Sequence, residues 1–243
     1  MTGIQVMLSA LIAMLGVVGG SAKTGRLLVI FCVVIGALVL LQGWLSNRSV
    51  KSVKASRVDR TVEINNVLAP LAKALARAAA ADGIKRRRAA SVAFLVNATS
   101  SCVGLTPAKL CRATFYSTSG EPGNRVFEPW ETVGRSDPPF SRFREDDDGE
   151  GAEVWRVAKK GDYRFVQDTA HEDIPHFDRT RPRKYRTFIT MPVMFDDAPV
   201  GLLTLNAPQP GDLTADDVES MRFIADLAAT AIGMAGGKCP DRG

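Results

Sequence analysis

Two histidines come nearest to a metal-binding or catalytic pattern. His171 and His176 sit in the segment HEDIPHFD, with Asp173 and Asp178 among them. Imidazole with carboxylate suits several divalent ions, but a five-residue spacing inside a loop matches no specific ligand set. They read as loop histidines near a pocket mouth, and no metal is expected. The four cysteines, Cys32, Cys102, Cys111 and Cys239, include no CxxC pair. That spacing suits reduced thiols in a cytoplasm. No Walker loop, GxGxxG, HExxH or GxSxG motif occurs, so no catalytic residue is assigned and binding is the chemistry left.

The elements that must position any binding residues follow from periodicity. Ile64, Leu68, Leu71, Leu75 and Ala78 recur at alternating spacings of four and three, a helical stripe with coiled-coil character. Pro70 predicts a kink or a helix start, and Asp82-Gly83 a turn. A second helix is predicted from Ile84 to about Val103, with Val92, Leu95, Val96 and Thr99 on one face. Lys85–Arg88 at its start oppose the helix dipole, which fits contact with lipid or acidic partners as well as a solvated basic turn. Strands are predicted at Leu110–Ser117, Arg125–Thr132 and Arg164–Asp168, with a short helix at Glu153–Lys160. Residues 134–152 and His171–Lys184 read as long polar loops, the first a mobile one.

The C-terminal third is plainer. Thr187–Met194 and Val200–Asn206 are strands joined at Asp196-Asp197-Ala198-Pro199. Thr214 with Asp217 three residues on predicts a capping box. The helix it opens has its apolar stripe at Val218, Met221, Ile224/Ala225, Ala228 and Ile232, and Gly236-Gly237 stops it.

Met191-Pro192-Val193, a turn, Val200–Leu205, Leu213–Asp217 and Ile224–Ile232 together resemble the end of a GAF domain. Phe165–Asp168 and Tyr185–Phe188 look like that family's preceding strand and its entry into the next. The resemblance spans about residues 62–236 and is strongest over 185–235. It implies an α+β fold: a central antiparallel sheet of five or six strands, helices packed on one face and a small-molecule pocket on the other. Family members are mostly sensory or dimerising modules, binding cyclic nucleotides, tetrapyrroles, haem or small metabolites. The family's cyclic-nucleotide signature is only partly echoed, by Asn206 and Asp217, because Ala207 stands where a lysine is needed. The GAF-like enzymes that reduce free methionine sulfoxide need cysteines in the loops facing the pocket, and 134–152 and 171–184 hold none. The ligand therefore stays unnamed. Candidate pocket residues from the sheet and loops are Phe115, Trp130, Phe165, Asp168, His171, Tyr185, Thr187 and Ile189, a mix of apolar walls and polar anchors.

Composition sets these elements in context. The 243 residues carry a net charge of +5, with 46% hydrophobic and 23% charged side chains, which excludes a wholly disordered chain. Met1–Leu45 contain no acid and only two charged side chains, Lys23 and Arg26. Two apolar runs lie there, Ile4–Gly20 and Leu27–Leu45. At 1.5 Å per residue each approaches the roughly 30 Å of a hydrocarbon core. They predict a transmembrane hairpin over 1–46. The competing reading of the first run is a signal peptide cleaved near Gly20-Ser21-Ala22, but no Lys or Arg precedes it and a second run follows after only six residues.

Residues 47–61 form a basic linker with Arg48, Lys51, Lys54, Arg57 and Arg60, which place both termini on the cytoplasmic side of the inner (plasma) membrane. These five are also expected to meet anionic lipid headgroups. Residues 46–88 hold eleven basic and three acidic side chains, whereas 89–243 hold 18 and 23. The basic character thus belongs to the segment beside the membrane, and no nucleic-acid partner is expected. A tail, 237–243, follows the last helix. The expected whole is a membrane-anchored sensory module, not an enzyme, dimerising through 61–81 and 214–235 and signalling to a separate kinase, cyclase or regulator. The alternative is a ligand-free scaffold that dimerises at the membrane.

Overall fold

The structure, a computed structural model, describes residues 67, 69–108, 110–140 and 142–240. The expected hairpin over 1–46 and the basic residues Arg48, Lys51, Lys54, Arg57 and Arg60 lie outside the described residues. Among those described, no helix is long and apolar enough to cross a membrane. The chain runs through α1 (residues 69–80), α2 (Ile84–Leu105), β1 (Arg112–Ser119), β2 (Val126–Gly134) and β3 (Phe143–Arg144). It continues through α3 (Glu150–Lys159), β4 (Arg164–Val166), β5 (Thr187–Phe195), β6 (Ala198–Ala207) and α4 (Ala215–Met234). The six strands form one sheet in the order β3-β2-β1-β6-β5-β4, every neighbouring pair antiparallel.

One face of the sheet is covered by α1, α2 and α4. Leu71, Phe94, Leu95 and Met221 pack there on Phe115, Ile189, Leu203 and Leu205, all buried. The α4 stripe read from the sequence is buried throughout, at Val218, Met221, Ile224, Ala225, Ala228 and Ile232. Its start is held as the capping box predicts: the Thr214 backbone N–H donates to Asp217 Oδ2 at 2.7 Å. Its end is closed by the Ala235 and Gly237 N–H groups, both donating to the Ile232 carbonyl at 3.0 Å. Asp196 and Asp197 take φ of 48° and 57°. Two left-handed residues make the primed turn whose twist matches a two-residue hairpin between β5 and β6.

The expectation of helices on one face only is corrected. Helix α3 lies on the opposite face, where Trp155 and Ala158 join Tyr116, Phe127, Phe143 and Leu202 in a second core. Trp155 stacks on Phe127 with centroids 3.9 Å apart and donates its indole N–H to the Phe143 carbonyl at 2.9 Å. Segment 134–152 is not a bare loop either. It carries β3, paired to β2 at Phe127↔Phe143, and the first residues of α3, which begins at Glu150 rather than Glu153. Glu150 and Glu153 in its first turn favour the helix start electrostatically.

Candidate ligand-binding site

A cavity of about 460 Å³ opens on the α3 side of the sheet. This lies within the roughly 300–1,000 Å³ that ligand pockets occupy. Its floor is made by alternate residues of three central strands: Arg112 and Tyr116 of β1, Phe188 and Thr190 of β5, Thr204 and Asn206 of β6. Strand side chains alternate between faces, so the residues between these, Phe115, Ile189 and Leu205, belong to the helix-side core. One wall is Ser136–Phe140, a second is Glu150, Val154 and Val157 of α3, and a strap including Ile174, Phe177 and Arg183 covers the top.

Ion pairs hold these parts together. Asp137 lies between Arg112, at 2.8 Å, and Arg135. Burial pushes the Asp137 carboxyl up, but the Arg135 hydrogen bond and the two guanidinium charges take it below its ordinary value. Arg135 also donates to Asn206 Oδ1 at 2.8 Å, tying the wall to β6. Glu150 pairs with Arg183, joining α3 to the strap. Glu153 is bound by Arg156 at 2.6 Å and by Arg164 of β4, and the Arg156 hydrogen bond foremost lowers its pKa despite burial. Burial drives the Tyr116 phenol well above its usual range and raises Tyr185 as well. Both therefore offer neutral hydroxyls at physiological pH.

Of the eight candidate residues, the cavity is lined by Tyr185 alone. Phe115 and Ile189 are wholly buried in the helix-side core, and Trp130 and Phe165 pack against it. The Thr187 hydroxyl donates to the Val166 carbonyl at 2.7 Å. Asp168 is engaged outside the cavity, by Arg186 at 2.6 Å and by His171, whose side chain is 80% exposed. For Phe115, Phe165, Thr187 and Ile189 the cause is one residue of phase, since Tyr116, Arg164, Phe188 and Thr190 beside them line the cavity: shifting a strand reading by one turns every side chain to the other face. The residues missed were Arg112, Tyr116, Phe188, Thr190, Thr204 and Asn206. The signal that could have found part of this floor is the interruption of apolar β6 by polar Thr204 and Asn206 at even positions.

Among the described residues the lining contains no cysteine and no histidine. Cys102 and Cys111 lie in the helix-side core, and burial pushes the Cys102 thiol up to about 12. Among the described residues no group of three or more His, Cys, Asp or Glu is disposed to hold a metal. With aromatic walls and a few fixed polar groups, this arrangement is fit to bind and orient a small molecule.

A family model described as the GAF domain matches residues 65–232. Among solved structures, the chain is similar to the GAF domain of the Acinetobacter phosphoenolpyruvate-protein phosphotransferase, at 14% identity and TM-score 0.50, covering 70% of this chain and 95% of that one. It is similar also to residues 122 to 287 of a methyl-accepting chemotaxis protein, at 12% identity and TM-score 0.50, covering 67% and 96%. The type II free methionine-R-sulfoxide reductase from Thermoplasma acidophilum is 16% identical with TM-score 0.48, covering 61% and 96%. No curated protein matches this chain in sequence.

Proposed function

This chain belongs to the GAF domain family, and we propose that it is a membrane-tethered regulatory module that takes a small ligand into the cavity over its sheet and signals to a separate partner. The observation that carries this reading is the cavity itself: about 460 Å³, floored by polar and aromatic side chains of three central strands and covered by an ion-paired strap. The tether is the apolar sequence over 1–46 with its basic flank at Arg48, Lys51, Lys54, Arg57 and Arg60. Pairing with a second copy through α1 and α4 is supported by Phe223, a large apolar side chain 46% exposed on α4.

A reductase reading gains nothing from the cavity. Thiol chemistry on a bound sulfoxide needs a thiolate within reach, and among the described residues no cysteine lines the site. Native mass spectrometry of the full chain released from lipid nanodiscs tests the proposal. The expected spectrum shows two copies and a bound small molecule, which Val154→Trp, filling the cavity from α3, displaces. A spectrum of bare chain, with melting temperatures of parent and Val154→Trp unchanged by cell-extract metabolites, would refute the ligand reading and leave the scaffold.

A further inference from the structure

The cavity's floor holds a cation whose hydrogen bonds are incomplete. Arg112 is 4% exposed. Its Nη1 donates to the Asp137 carbonyl at 2.7 Å, to Asp137 Oδ2 at 2.8 Å and to the Pro138 carbonyl at 2.6 Å. Its Nε is buried with no acceptor. Leaving a charged donor unmet in a protein interior is unfavourable, so the position calls for an acceptor that is not part of the chain. Nε and Nη2 form one flat edge of the guanidinium, whose two parallel N–H groups match the two oxygens of a carboxylate.

Charge in the rest of the lining points the same way. Five lining side chains are basic, Arg112, Arg164, Arg181, Arg183 and Lys184, and three are acidic, Asp137, Glu150 and Glu153, leaving a surplus of two positive charges. Each acid is already held by an arginine. At the mouth, Lys184 and Arg181 are exposed and form no ion pair among the described residues, and Arg181 lies 4.4 Å over the Phe140 ring. Cations grouped at a cleft raise the local concentration of anions and their rate of entry. The remaining wall is aromatic, with Tyr116, Phe140 and Phe188 offering flat apolar surface to a planar body.

We infer that the ligand of this cavity is a small carboxylate with a planar, apolar body, its carboxylate held on the floor by the free edge of Arg112 and drawn in by Arg181 and Lys184. This rests on the reading of the cavity as a ligand site. The test is calorimetric titration of the full chain with benzoate and 2-naphthoate, with the matching uncharged amides, and with phenyl phosphate. The carboxylates are expected to bind about 10- to 100-fold more tightly than the amides. Arg112→Gln should erase that margin.

Because Arg112 also holds residues 137 and 138, Lys184→Gln is titrated beside it. That variant should keep the parent melting temperature and lower the carboxylate margin by a smaller factor that added salt removes. Amides binding as well as carboxylates, phenyl phosphate binding better than either, or a margin unchanged in both variants would overturn the carboxylate assignment. Each of those results still fills the cavity and leaves it standing as a ligand site. Failure of every probe to bind the parent, with no small molecule co-purifying, would take down both.

Discussion

At the scale of single residues, one many-partnered carboxylate lies beside the cavity rather than in it. Glu145 accepts hydrogen bonds from the backbone N–H groups of Gly123 and Arg125 at 3.0 and 3.1 Å, and from Arg125 Nε at 2.9 Å. Its other oxygen takes Arg125 Nη2 at 3.0 Å and Lys159 Nζ at 2.6 Å. One carboxylate with 4% of its side chain exposed thus joins the β1–β2 turn, the end of β3 and the last turn of α3. The Arg125 hydrogen bond, outweighing burial, takes its pKa far below the usual carboxylate range. A carboxylate depressed on folding adds stability that is complete above its unfolded pKa of about 4.3 and is lost as pH falls from there toward the folded value. Glu145→Gln should therefore cost about 2 kcal/mol at pH 7. In urea unfolding the gap between parent and variant should narrow at pH 3; a gap equal at both pH values would show that the charge contributes nothing.

At the scale of elements, β6 shows how closely the sheet and the helix-side core are matched. A Cβ at Gly201 would meet the Phe115 ring at 2.7 Å and the Tyr116 carbonyl oxygen at 3.1 Å. Replacing a strand glycine by alanine ordinarily gains about 0.5–1 kcal/mol, whereas forcing an extra methyl into a packed core costs about 1–3 kcal/mol. The clash wins. Gly201→Ala should lower the melting temperature by several degrees, and Phe115→Leu in the same chain should recover part of that loss, less than additively; strict additivity would place the cause elsewhere. The same pair explains what the sequence did and did not disclose. Strands β5 and β6 were legible because TFITMPVM and VGLLTLN are rich in β-formers, and α4 because its caps and stripe agree. Which way each strand faces was not legible, since both faces are covered and apolar residues run consecutively at Leu202-Leu203 and Met191-Pro192-Val193. Helix α3 and β3 were shortened or missed for another reason. Phe143, Trp155 and Ala158 become a core only by meeting Tyr116, Phe127 and Leu202 from distant strands.

At the scale of the whole molecule, charge and apolarity make separable demands on a membrane. The five basic residues Arg48, Lys51, Lys54, Arg57 and Arg60 would each contribute about 1 kcal/mol at an anionic surface. That attraction is screened when salt shortens the Debye length to about 3 Å at 1 M. The runs Ile4–Gly20 and Leu27–Leu45 would hold through buried apolar area, which salt does not weaken. If both act, the full chain stays in the membrane pellet at 1 M salt and at alkaline pH, and changing all five basic residues to Gln leaves that retention intact. The same five changes should instead disturb orientation, because they leave Lys23 and Arg26 of the short connecting loop as the larger basic cluster of the two. A tag after Gly243 should then become accessible to a membrane-impermeant reagent in a fraction of intact cells, while in the parent it stays protected. Release of the parent by salt alone would mean that the basic linker is the whole attachment and that the apolar runs do not insert.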